Sequence, residues 1–195
     1  MATGRPREFD LDERLGRAMR VFWRQGYEGT ALADLTEAMG INKPSLYAAY
    51  GNKAALFLKA VDHYEAGPAS YVGRALAAPT ARATAEALMR GAIELTTSGP
   101  GGCLFVQGAL ATGAQGAQVR DELAARRRAA HVSMRERFER ACAEGDLAPD
   151  VDADALARSI WATTYGLSVL AAGGATVAEL SRAMDMALAG WPGSH

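Results

Sequence analysis

Residues 30–56, TALADLTEAMGINKPSLYAAYGNKAAL, constrain the fold of this chain more than any other stretch. Their punctuation fits two short helices, a tight turn and the start of a third helix. Thr30 stands where an N-cap is needed, ahead of a helix that gathers Leu32, Leu35, Ala38 and Met39 on one side, and Gly40 supplies the left-handed residue that ends it. Ile41 plugs the corner. Asn42 is placed to cap the next helix, Pro44 is tolerated because it falls in the first turn, and Leu46 and Tyr50 recur four apart. Gly51 closes that helix and Asn52 caps the one that opens with Lys53, so the pattern is a helix-turn-helix with its supporting helix.

Lys43 and Lys53 occupy the first turns of their helices, where the macrodipole is positive and a cation is unfavourable by roughly 0.3–1 kcal/mol. A phosphate reverses that sign, because backbone N–H groups and lysine then converge on one anion, as at the helix N-termini that hold nucleic-acid backbone. Lys59 is the remaining lysine, so every lysine lies within or just after this motif. The plain alternative is a pair of solvated lysines on an ordinary helical hairpin.

Thr30, Leu35, Ala38, Gly40, Ile41, Lys43, Ser45, Leu46, Tyr47, Tyr50, Lys53 and Leu56 together resemble the DNA-binding domain of the TetR/AcrR family of bacterial transcriptional regulators. The match runs back to about Arg5. Thr36, Asn42, Ala48 and Ala49 depart from the usual pattern, and the two alanines remove side chains that could reach bases or backbone. The resemblance implies an all-α fold, with an N-terminal helix-turn-helix domain of three helices over residues 1–52 and a C-terminal helical bundle for ligand binding and dimerisation over 53–195. The expected DNA contacts are Arg5, Arg7, Thr30, Lys43, Pro44, Ser45, Tyr47 and Lys53, with Lys43, Tyr47 and Lys53 as backbone anchors and Ser45 as base reader.

The 195 residues carry a formal net charge of −1, so DNA affinity has to come from local placement of charge. Two cysteines offer neither a disulfide framework nor a metal cluster, and neither a cofactor nor a metal is expected. The polar start MATGRPREFD lacks the apolar run of a signal peptide, and residues 159–174 are too short and too rich in Ser, Thr and Gly to cross a membrane. A cytoplasmic protein with no membrane partner is expected.

Residues 5–7, Arg-Pro-Arg, read as a basic arm ahead of the first helix, either reaching DNA or remaining a solvated tail. Asp10 with Glu13 makes a capping-box-like start, Leu11, Leu15, Ala18, Met19 and Phe22 form the inner stripe, and Gly26 ends the helix before Tyr27 anchors it. The helix from Lys53 runs through Leu56, Phe57, Ala60, Val61 and Tyr64 to a break at Gly67-Pro68, linking the head to everything after.

Helix continues over residues 69–78, and Pro79-Thr80 marks the next start, of a helix apolar on two faces through residue 97. Residues 98–102 make a loop that lacks the Gly-Lys-Ser/Thr ending of a phosphate loop. Cys103 opens a short helix that ends in the small-residue run 109–116; a Gly-Cys-Leu start here is also shared with the family. A long helix over residues 119–143 carries Val119, Leu123, Ala130, Met134, Phe138 and Ala141 inward, interrupted by Arg126, Arg127 and Arg128. At least one of these arginines should lie near the inner side, where it meets a ligand or partner carboxylate; the alternative is a cluster solvated or paired with Asp121 and Glu122.

Asp152 caps a helix over residues 153–172 with two apolar stripes, and Thr176 caps a last helix. One stripe invites a second subunit. Leu156, Ile160, Leu167, Leu180, Met184 and Leu188 are the candidate interface of a homodimer built on an intersubunit four-helix bundle, which the resemblance also implies.

Three scattered histidines, no HExxH and no nucleophile elbow argue against an enzyme. The expected protein is a regulator, most simply a repressor released from a palindromic or near-palindromic double-stranded operator by a small, largely apolar effector. The candidate effector site is Tyr64, Met89, Ile93, Cys103, Phe105, Met134, Phe138, Trp161 and Tyr165. A thiol- or redox-responsive regulator acting through Cys103 and a ligand-independent DNA-binding dimer stay open.

Overall fold

The computed structural model describes residues 5–99, 101–108 and 116–193, with side chains from Leu11 onward. The chain is all-α. Helix α1 spans Arg5–Gly29, α2 Leu32–Met39, α3 Lys43–Tyr50 and α4 Lys53–Ala66; a 3-10 turn at Pro68–Ser70 leads into α5, Tyr71–Leu76. Then follow α6 Ala81–Ser98, α7 Leu104–Gly108, α8 Ala117–Ala143, α9 Ala153–Ala172 and α10 Val177–Ala189. Among the described residues no strand forms; Leu147 and Gly193 make an isolated antiparallel bridge.

The turn chemistry of the head follows the local signals. Gly40 adopts φ 64° and lets α2 stop, while Arg14 Nη1 donates to the Met39 and Gly40 carbonyls at 2.8 and 3.0 Å, tying that stop to α1. Asn42 Oδ1 accepts from Ser45 N at 2.9 Å and Asn52 Oδ1 from Ala55 N at 2.8 Å, so both predicted asparagine caps form. Gly26, at φ 71° and ψ 173°, breaks the helical path of α1 as expected, and Tyr27 turns inward onto Phe22 and Phe57.

Three local expectations are corrected, and a fourth falls outside the described residues. The N-cap of α2 is Ala31, whose N–H donates to Asp34 Oδ2 at 3.0 Å, whereas the Thr30 hydroxyl donates back to the Gly26 carbonyl at 2.6 Å. A hydroxyl that can reach the carbonyl four residues back is diverted from the cap. Arg5, Arg7 and Asp10 belong to the backbone of α1 rather than to an arm and a cap before it, because nothing in that stretch stops the helix from starting earlier. Leu11 is 43% exposed and lies off the buried stripe. Of the small-residue run, residues 109–115 lie outside the described residues.

Two cores divide the molecule. The first joins α1–α4 with Leu104, Val119 and Leu123, and centres on the edge-on pair Phe22–Phe57 at 4.9 Å. The second joins α5, α6, α8, α9 and α10 around Leu88, Met89, Phe138 and Ala157. Because α4 contributes Leu56, Phe57, Ala60, Val61 and Tyr64 to the first core, this helix packs with the head while its far end meets the bundle. Trp23 Nε1 adds a second link, donating to the Gly102 carbonyl at 2.9 Å.

The dimer residues expected from sequence are placed elsewhere. Ile160, Leu167, Leu180, Met184 and Leu188 are at most 4% exposed, and Leu156 is half-buried against the same core. They are protomer core, since the inner stripe of α9 and α10 is already covered by α6 and α8. The outward apolar residues of these two helices are Val169, Leu170, Val177 and Met186, the last 76% exposed.

Candidate nucleic-acid interface and internal cavity

Helix α3 buries only Leu46 and Tyr50, one above the other, and the Tyr50 hydroxyl donates to the Leu11 carbonyl at 3.0 Å. Everything else on it faces out. Lys43, Pro44, Ser45, Tyr47, Ala48 and Ala49 form one exposed surface, with Tyr47 at 47%. The α3 N-terminus carries no acidic residue in its first turn, so its N–H groups and Lys43 present positive potential outward without an internal counter-charge.

Lys53 differs from Lys43. Its Nζ lies 4.6 Å from the centroid of the Tyr27 ring, and burial holds the ammonium below its usual pKa against the opposing field of Glu28. The ring contact sets where Lys53 stands at the start of α4, whereas Lys43 is exposed in the first turn of α3. Thr30 is buried and its hydroxyl engaged, so its side chain faces the protein rather than the exposed α3 surface. Arg5 and Arg7 lie outside the described side chains.

At the other end of α4, a cavity of about 420 Å³ opens between α4, α5, α7, α8 and α9. Its size falls within the roughly 300–1,000 Å³ range of small-molecule sites. Of the candidate effector residues, Tyr64, Cys103, Phe105, Trp161 and Tyr165 line it. Met89, Ile93, Met134 and Phe138 do not; they are fully or almost fully buried in the second core, since α6 gives the cavity no residue and α8 gives it Arg126, Arg127 and Ala130 instead. Tyr71, Thr164 and Ser168 also line it and were not singled out for it by sequence; for Tyr71 the available signal was the Gly67-Pro68 break before it. Arg126 and Arg127 reach the wall too, from the arginine cluster expected to lie near the inner side.

The cavity is aromatic and polar at once. The Tyr64 hydroxyl donates to Cys103 Sγ at 3.8 Å, and Tyr64 also packs edge-on against Trp23 of α1 at 5.0 Å. Burial, then the proximity of Cys103, pushes the Tyr64 and Tyr71 hydroxyls well above the ordinary phenol range. The same two causes push Tyr165 up to about 12, with Arg127 opposing them. Arg126 bridges α8 to α4 through Asp62 at 2.7 Å and Glu65 at 2.6 Å, and holds Glu122 at 3.0 Å. Burial works against that charge, and the carboxylates outweigh it, so the guanidinium is held more firmly protonated than usual.

An all-α chain with an exposed helix-turn-helix, and a cavity at the far end of the helix that follows it, has the architecture of a DNA-binding transcriptional regulator. Residues 15–60 match the family described as "Bacterial regulatory proteins, tetR family", and residues 81–187 match "Tetracyclin repressor-like, C-terminal domain". The chain belongs to the TetR family. It is 30% identical to the HTH-type transcriptional repressor ComR of Escherichia coli over 98% of this chain and 93% of that one. A cysteine-substituted form of the TetR family regulator CifR, solved with 26bp double-strand operator DNA, is 43% identical and covers 97% of this chain and 100% of its own at TM-score 0.90. A regulator of the family from a Rhodococcus species is 41% identical at TM-score 0.60, covering 90% and 96%. No helix among the described residues is long and apolar enough to cross a membrane.

Proposed function

We propose that the protein is a cytoplasmic, homodimeric repressor that binds a near-palindromic operator through α3 and is released by a small, largely apolar molecule in the 420 Å³ cavity. The observation that carries this reading is the span of α4: Lys53 stands at the DNA-facing end and Tyr64 in the cavity wall. Lys43, Tyr47 and Lys53 hold phosphates, and Ser45 and Pro44 approach base edges. With Ala48 and Ala49 bare, specificity relies on dimer spacing as well as on base contacts. The boundary of the two domains falls at 52/53 in the chain, with α4 shared between them.

The dimer forms through the outward faces of α9 and α10, where Val169, Leu170, Val177 and Met186 are exposed. Release follows by population shift. The effector binds better to the form in which α4 has tilted, and two tilted heads no longer match the half-sites. Operator binding by fluorescence anisotropy tests the reading. Affinity should fall at least tenfold in Tyr47→Ala; unchanged affinity would exclude α3 as the reading helix.

A second reading has its own observation: Cys103 sits in the cavity wall with its sulfur held by the Tyr64 hydroxyl. A thiol modified there would reach α4 directly. Oxidant or electrophile should release operator from the native protein and not from Cys103→Ser; equal release from both removes this route.

A further inference from the structure

We propose that the effector is an organic acid, an apolar body carrying one carboxylate that Arg127 reads; this rests on the small-molecule reading of the cavity. The adjacent arginines differ. Arg126 is held by Asp62, Glu65 and Glu122. Arg127 makes one hydrogen bond, from Nη1 to the Phe105 carbonyl at 3.2 Å, and no carboxylate partner is found for it among the described residues. A guanidinium offers five N–H donors in a fork that fits a carboxylate, so most of its capacity is unspent.

The surroundings point the same way. Among the described residues Glu65 is the sole acid lining the cavity, and Arg126 already holds it. Arg127 also lines a second, outer groove between α8 and α9, together with Arg128, His131, Arg135 and Arg158, against Asp154 as the groove's sole acid. His131 and Arg158 share that aspartate, at 2.7 and 2.8 Å, and Arg135 leans on Glu139 at 3.4 Å. Arg127 and Arg128 remain as the positive excess, which draws anions toward the wall common to both spaces. Trp161 belongs to that wall too, and its indole Nε1 is buried with no acceptor among the described residues.

Cationic effectors would suit the aromatic rings but meet two arginines. Neutral ones would leave the half-buried Arg127 charge uncompensated. A carboxylate satisfies both the arginine and the field, while Tyr64, Tyr71, Phe105 and Tyr165 enclose the body.

The test uses two matched pairs, 2-naphthoate with 2-naphthamide and decanoate with decanamide, titrated calorimetrically against the full chain and then against the operator complex. The acid of at least one pair should bind roughly tenfold or more tighter than its amide, the ratio of a hydrogen bond to a charged partner. Arg127→Gln should erase that ratio while leaving amide affinity within about twofold, and Arg127→Lys should restore part of it. Thermal melting of the variants checks that they fold. Amides that bind as tightly as acids, or an Arg127→Gln loss equal for both, overturn the proposal. If amides bind and release the operator, the sensor reading survives without the acid; if no probe binds or releases it, both readings fall.

Discussion

Replacing Lys43 by Ala should weaken operator binding while leaving the protein as stable or slightly more stable, and the two opposite signs make the variant informative. Lys43 is exposed in the first turn of α3, a turn with no acidic residue to offset it. Removing a cation from that position relieves about 0.3–1 kcal/mol of unfavourable interaction with the helix dipole in each protomer. A symmetric dimer on DNA loses two phosphate contacts, which lowers the slope of log K against log salt by about 1.8. At about 0.15 M salt, if each contact is wholly counterion release, that slope corresponds to roughly thirtyfold weaker binding. Anisotropy titrations across salt, on an operator recovered by selection from random DNA, give both numbers, and thermal melting gives the third. An unchanged salt slope would refute the reasoning, as would an affinity loss that tracks a fall in melting temperature.

Met186→Glu, at the most exposed apolar position of α10, should convert the dimer to monomer by sedimentation and cut operator affinity with it; a dimer of native strength would move the interface elsewhere. Absorbance near the phenolate band should find three tyrosines of the cavity wall titrating late. Tyr64, Tyr71 and Tyr165 stay protonated in the folded state beyond the ordinary phenol pKa of about 10, Tyr165 to about 12. Because their folded pKa values are raised, this contribution to stability is complete below about pH 10 and is lost as pH climbs through the folded values, so the melting temperature should fall above that point. Gly91→Ala should weaken effector binding, since a Cβ there would overlap the ring of Tyr71 in the cavity wall and force it to shift; binding equal to the native protein's would show that the wall can yield.

What could be read from sequence was whatever local chemistry decides. Asn42, Asn52, Gly40 and Gly51 each have one tolerable role at their positions, and each takes it. Thr30 did not, because a hydroxyl has two nearby partners and the Gly26 carbonyl won. Helical periodicity found the apolar stripes of α9 and α10 but could not say which neighbour covers which. The large residues Ile160, Leu167 and Leu188 went to the protomer, and the outward face holds Val169, Leu170 and Met186. The cavity was half visible for a related reason. Met89, Ile93, Met134 and Phe138 have the same character as Phe105 and Trp161, and only the packing of α6 and α8 separates core from wall. The difference between Arg126 and Arg127 lies one residue apart in the chain and depends on Asp62 and Glu65 reaching the first and not the second.

If the outward face of α3, presented twice by a symmetric dimer, reads DNA, hydroxyl-radical footprinting of the selected operator should show it. Two equivalent protected half-sites are expected on one face of the duplex, separated by a multiple of about 10–10.5 base pairs, with protection lost in Tyr47→Ala. A single asymmetric footprint, or protection that survives Tyr47→Ala unchanged, would contradict it.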